Sequence, residues 1–275
     1  MKNLNMFPLN RWFKLFFDPA CVCFVCMLML LSLVSGMSFA QNLDPQKQAI
    51  LEDYYKQAWQ YLSQMHKDLK NLDKAHDLYN KALVLSPDNS TTLWKIAEIT
   101  FKKAQETKDN TAAKKLFEQA LASAELSAQK NPESVEALYW IGTCQAKLAD
   151  MAGIFKALGL VKSARKTLEK SIAINPTNRF AILSRVILAV IYTESPWPMK
   201  DLSEALKLSD QAVQLDPNLT LASVKRAKVL IQKKEKALAV KELQRCIDIK
   251  KPSYAWDAEL YDWPEAKKLL AEINP

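Results

Sequence analysis

One pattern recurs five times along the chain and restricts it to a narrow set of folds. Ala is followed four positions later by an apolar or small residue. Two more small or apolar residues come three and four positions after that, and Pro closes the copy four positions further on. The copies are Ala75-Tyr79-Ala82-Leu83-Pro87, Ala120-Ala124-Ser127-Ala128-Pro132, Ala164-Leu168-Ser171-Ile172-Pro176 and Ala205-Ser209-Ala212-Val213-Pro217. A fifth, Ala239-Leu243-Cys246-Ile247, ends one residue late at Pro252. Steps of four, three and one place these side chains on one helical face. Small residues there let a second helix approach closely, and the proline ends the helix. The chain has only four glycines in 275 residues, against a usual share of about 7%. Strand-and-turn folds need glycine for positive-φ turns, and phosphate-cradling loops need it clustered. Both are therefore disfavoured, and an all-α chain is expected.

The pattern resembles the second helix of the tetratricopeptide repeat (TPR). The first-helix signature is matched by Trp59 and Leu62, by Ile141-Gly142 and by Leu188-Ala189-Tyr192. The resemblance implies a helical-hairpin repeat array, an α-solenoid, with repeats at about 56–89, 90–134, 135–178, 179–219 and 220–252 and a cap at 254–275. Successive closing prolines lie 45, 44, 41 and 35 residues apart, against a family period of about 34. Long, irregular repeats suggest a compact and even closed assembly rather than an open superhelix. Asp44 to Leu69 reads as a long first helix with Pro45 in its first turn. Asp150 to Gly159 reads as an extended connector. Asp88, Thr177 and Asn218 read as helix caps, as does Asp262 at the start of a short terminal helix.

The first forty residues differ from the rest. Lys2, Arg11 and Lys14 precede the apolar run Ala20–Val34, and Ser38-Phe39-Ala40 offers small residues for a peptidase. This predicts a signal peptide cleaved after Ala40 and a periplasmic or secreted protein. Membrane association is expected only if the segment stays uncleaved. Removing it lowers the net charge from +8 to +6 and leaves Cys144 and Cys246. These two lie on separate repeats, so buried free thiols are expected rather than a disulfide.

In helix-pair repeats the first helices line the concave side. The register sets Trp94, Tyr139, Trp140, Thr143, Tyr61 and Val224 there as candidates to bind a ligand or partner. Trp197, between two prolines, is a candidate lid or exposed contact. Core or cavity wall without a ligand competes with recognition at each of these positions, and Trp59 is expected in the core. Phe180–Tyr192 is apolar almost all round, which predicts either a filled concavity or an apolar pocket. His66 and His76 are the only histidines and read as surface helix residues. No catalytic constellation, metal site or cofactor is expected. Ten bases against three acids between Lys225 and Lys251 suit a solvated face or an acidic partner. Export and the lack of a recognised motif argue against nucleic acid.

The second half adds a resemblance. Ala137-Leu138-Tyr139-Trp140, the 164–176 stretch ARKTLEKSIAINP, Ile191-Tyr192, the Pro-rich turn 196–198, DLSEALKLSDQAVQLDP at 201–217 and EAKKLLAEI at 265–273 look like the T component of tripartite ATP-independent periplasmic (TRAP) transporters. Eukaryotic regulators of microtubule dynamics show a similar helical pattern. The transporter resemblance implies a non-enzymatic periplasmic scaffold that binds a protein partner, a solute-binding protein among the candidates. The alternative is a carrier of an apolar or aromatic small ligand. Oligomeric state stays open.

Overall fold

Pro87, Pro132 and Pro176 each sit in a tight turn, and the polar residue two positions after each (Asn89, Ser134, Asn178) starts the next helix. The computed structural model describes residues 44–196 and 198–273. The signal peptide expected at residues 1–40 and Trp197 lie outside the described residues. The helices are α1 (Pro45–Leu62), α2 (Asn71–Leu85), α3 (Ser90–Glu106), α4 (Asn110–Lys130) and α5 (Val135–Asp150), then α6 (Ile154–Ile174), α7 (Arg179–Glu194), α8 (Leu202–Leu215), α9 (Thr220–Gln232) and α10 (Lys236–Asp248). A last helical run starts at Ala255–Asp257, passes through a π-helical turn at Ala258–Asp262 and continues as α11 (Trp263–Ile273). Consecutive helices pair closely as the hairpins α3/α4, α5/α6, α7/α8 and α9/α10, and α1 and α2 share a core of Ala58, Leu62, Leu72, Ala75 and Tyr79.

Capping explains the starts. Asn89 accepts from the Thr92 amide at 3.0 Å and Ser134 from Ala137 at 3.1 Å. Asn178 accepts from Phe180 at 2.8 Å, and Asp201 from Ser203 and Glu204. Each cap satisfies amides that the first turn leaves free. The caps expected at Asp88 and Thr177 fall one residue later, because the residue after proline is used in the turn. Leu219, not Asn218, precedes α9 and has no side-chain cap.

The recurring pattern marks the deepest side chains. Ala75, Ala82, Ala120, Ala124, Ser127, Ala164, Leu168, Ser171, Ala205, Ala212, Ala239, Leu243 and Cys246 are all fully buried. In three hairpins the third pattern position also ties the two helices together. Ser127 donates to the Ser90 carbonyl at 2.8 Å, Ser171 to Val135 at 3.3 Å and Cys246 to Thr220 at 3.6 Å. Ser90, Val135 and Thr220 each open the first helix of their hairpin. Gly142 marks another close approach: a Cβ there would lie 2.5 Å from Leu168 Cγ.

Several expectations are corrected. α1 ends at Leu62, and 63–67 are hydrogen-bonded turns. The third connector is short, since α6 starts at Ile154 and contains Gly159. Trp59 is 36% exposed, at the rim of the core rather than in it. His66 lies in a turn, not on a surface helix, and its side chain is only 12% exposed. His76 is half-buried on α2. Cys144 and Cys246 are buried free thiols, as expected.

Candidate functional site

The first helices α3, α5, α7 and α9 stand side by side, and each turns one stripe toward the concavity. α3 offers Glu98, Phe101, Lys102 and Gln105, spaced three, four and seven apart. α5 offers Tyr139, Trp140, Thr143, Ala146 and Lys147, and α7 offers Phe180, Leu183, Ile187, Val190 and Ile191. α9 adds Leu221, Lys225 and Lys228. Such spacing is one face of a helix. The fifth wall is unexpected. Tyr254, Asp257, Tyr261, Asp262 and Glu265, again at helical spacing, come from the terminal run. It folds back over the concave side and walls a partly open cavity of about 620 Å³.

Several contacts hold this closing segment. Trp256 packs edge-on against Trp59 of the first repeat at 5.2 Å, and Tyr254 against Trp256 at 5.4 Å. Lys102 pairs with Asp257 at 2.7 Å. Tyr261 hydrogen-bonds to Glu106, and Thr220 donates to Asp262 at 2.6 Å. Glu265 receives Lys225 at 2.9 Å and also Lys228. The Arg179 guanidinium lies over the rings of Phe180, Trp59 and Tyr254 at 4.6, 5.7 and 5.9 Å, a cation–π arrangement. Repeats one and four thus meet across the closing segment.

The cavity has two ends of different chemistry. One is a linked aromatic wall: Phe101 to Trp140 at 5.3 Å, Trp140 to Tyr139 at 4.9 Å and Tyr139 to Phe180 at 5.4 Å. The other carries the Lys102–Asp257 and Lys225–Glu265–Lys228 pairs. Burial pushes the Asp262 carboxyl up to about 7 and raises Glu98 as well. Burial alone would raise Glu265 too, but Lys225 and Lys228 outweigh it and hold that carboxyl below its ordinary range. The Trp140 indole Nε1 is buried and has no hydrogen-bond partner. Leaving a buried donor unpaired costs about 1–3 kcal/mol. Tyr79 and Trp256 also have unpaired buried groups, but they do not line the cavity.

Of the candidate residues, Tyr139, Trp140 and Thr143 come together on the cavity wall. Trp94 stands behind that wall, packed on Phe180 at 5.4 Å with Lys95 over its ring at 4.4 Å. Tyr61 is exposed under Lys74 and away from the cavity. Val224 is fully buried in the α9/α10/α11 core, so it is not a concave contact. The capping role expected of Asp262 is replaced by its buried bond to Thr220. The closing segment was missed because nothing in the repeat pattern extends past Pro252. Its signal is compositional: Tyr254, Trp256, Asp257, Glu259, Tyr261, Asp262 and Trp263 crowd aromatics and acids into ten residues.

The profile of the family described as Regulator of microtubule dynamics protein 1-3 matches residues 54–184. Regulator of microtubule dynamics protein 1 of Pongo abelii is 26% identical over 48% of this chain and 46% of its own length. The Homo sapiens protein is 26% identical over 46% and 44%. The chain spans about half the length of the curated relatives it matches. The matched stretch runs from within α1 to within α7. Among solved structures, a thermophilic TPR protein from Thermus thermophilus aligns with a TM-score of 0.60 at 16% identity, over 80% of this chain and 99% of that one. The pilF protein of Pseudomonas aeruginosa aligns at 0.55 and 12%, over 83% and 90%. The described residues therefore have the all-helical fold of TPR proteins, a hairpin array closed by its own terminal segment.

Proposed function

We propose that the chain is a non-catalytic TPR-type scaffold of the periplasm that takes an apolar small ligand into its concave cavity. One observation carries this: a cavity of about 620 Å³, walled by aromatics, with a buried indole N–H that lacks an acceptor. Small-molecule sites span roughly 300–1,000 Å³ and combine an apolar lining with a few polar groups. The closing segment occupies ground that an extended peptide would need, which favours a small ligand over a peptide there. Several titratable groups at the site are held in ion pairs, Lys102–Asp257 and Lys225–Glu265–Lys228, and Glu98 and Asp262 are buried. Cys144 is far from reactive, since burial raises its thiol. The match over 54–184 includes Trp94, Tyr139, Trp140 and Phe180 but ends before the closing segment.

The proposal extends to a protein partner, and the resemblance to the transporter T component makes a solute-binding protein the candidate. That partner docks on outer surfaces, because the concave one is covered. Co-purification from envelope fractions tests this part; recovery only from cytoplasm, with no specific partner, contradicts it. The ligand part is tested by titrating the protein with N-phenyl-1-naphthylamine and following its fluorescence. Saturable binding at one site per chain is expected. Ala146→Trp, which fills the cavity, weakens it at least tenfold while helix content holds. No saturable binding, or equal binding by Ala146→Trp, overturns the ligand reading.

A further inference from the structure

The outer face of α6 presents an apolar tip followed by a run of cations. Phe155 is 89% exposed, Ile154 68% and Leu158 42%. Other large exposed apolar side chains, such as Val84, Leu126 and Leu238, are scattered, which is ordinary for a surface. Three within five residues at a helix start is not. Phe155, Leu158, Lys162, Lys166 and Lys170 follow one another at helical spacing. Lys162 and Lys166 border a shallow basin of about 470 Å³ with Leu158, Arg165, Glu169 and Met199. Lys156, Lys162 and Lys166 have no ion pair among the described residues. Arg165 donates to the Tyr192 hydroxyl at 2.6 Å, yet its Nε is buried without a partner. Only Glu169 opposes these cations, 3.9 Å from Arg165.

We propose that this face docks on an anionic membrane surface, with Ile154, Phe155 and Leu158 inserted and the Lys162–Arg165–Lys166 basin holding lipid phosphates. The dimensions agree. A helix rises about 1.5 Å per residue, so Lys162 sits roughly 10 Å behind Phe155. Interfacial helices bury their apolar part about 5–10 Å deep, with cations at headgroup level. Lysine stems reach back toward the headgroups along apolar surface. Among the described residues no helix is long and apolar enough to cross a membrane, so the contact is peripheral. Ala157 and Val161, on the adjoining face of the same helix, line the cavity. Docking therefore brings the cavity rim to the bilayer, where apolar solutes partition. The surface stands on its own observations, whatever the cavity binds.

The test uses the full chain with Phe155→p-benzoylphenylalanine, irradiated on vesicles of phosphatidylethanolamine and phosphatidylglycerol at 7:3. Val84→p-benzoylphenylalanine, on a separate exposed site, is the control; it corrects for any tethering by the N-terminal segment. Lipid adducts at position 155, at least tenfold above position 84, are expected. The double change Lys162→Glu and Lys166→Glu lowers them at least tenfold, as does replacing the vesicles with pure phosphatidylcholine. Salt at 0.5 M, which shortens electrostatic range, lowers them as well and needs no variant to fold. Equal adducts at 155 and 84, adducts indifferent to charge and salt, or cross-links from 155 to a second copy of the chain would each overturn the proposal.

Discussion

Gly142 shows how the lack of one side chain sets the spacing of a hairpin. Its helix would gain about 1 kcal/mol from alanine by propensity alone. A Cβ, however, would meet Leu168 Cγ at 2.5 Å and its Cδ2 at 2.7 Å. Overpacking of this kind costs about 1–3 kcal/mol, and the Leu168 side chain is fully buried with little room to move. Gly142→Ala is therefore expected to lower unfolding stability by about 1–2 kcal/mol in urea titrations. Leu168→Ala, which removes the Cγ that the new methyl would meet, is expected to make the two changes together cost less than the sum of their separate losses. Asp262 carries the pH dependence. Its native carboxyl titrates near 7 against an ordinary 3.8, because burial, with Asp257 and Glu265 nearby, outweighs Lys225 and the Thr220 hydrogen bond. The folded chain thus holds a proton that the unfolded chain has released. Between about pH 4 and pH 7 stability falls as pH rises, by something on the order of a few kcal/mol. Asp262→Asn flattens that slope, which urea unfolding at pH 5 and pH 8 reads directly. Buried Glu98, also raised, adds a slope of the same sign that the variant keeps.

The hairpins are legible in the sequence because their contacts are local and periodic. The Ala-x-x-x-small face, the prolines and Gly142 each answer to one partner helix a fixed distance away along the chain. The cap positions shift by one residue, because spacing alone does not show whether the residue after proline turns or caps. The closing segment was not legible, because it answers to side chains as far off as Trp59, Lys102 and Glu106. Trp59 illustrates the same limit: its repeat position implies core, yet its ring is the rim onto which Trp256 closes. Tyr139, Trp140 and Thr143 were readable as concave residues from register, but the wall facing them was not. Trp256 is 5% exposed, and truncating a buried Trp costs about 3–5 kcal/mol. Trp256→Ala is accordingly expected to loosen the closing segment. Amide exchange in 254–265 should rise sharply while α5 and α6 stay protected. Unchanged exchange in that segment contradicts its role as the closure.

At the scale of the described array, charge and shape tell one story. Half of the bases of the fifth repeat are answered by acids: Arg226 pairs with Asp210 and Glu242, Arg245 with Glu242, Lys233 with Glu235, and Lys225 and Lys228 with Glu265. The α6 face differs in that its cations stand beside an exposed apolar tip and next to the cavity rim. The long repeats also find a reason here. α4 and α6 each run 21 residues, and the terminal run both crosses the concave side and, through α11, caps the last hairpin with Ala266, Leu269, Leu270 and Ile273, as expected. On the proposed function, the array takes up a small ligand rather than gripping an extended peptide. Native mass spectrometry of the chain, purified without denaturation, tests that most directly. We expect a mass excess of one apolar small molecule per chain, shed on denaturation and missing from Ala146→Trp. The bare polypeptide mass in both proteins, or the same excess in both, would contradict the account.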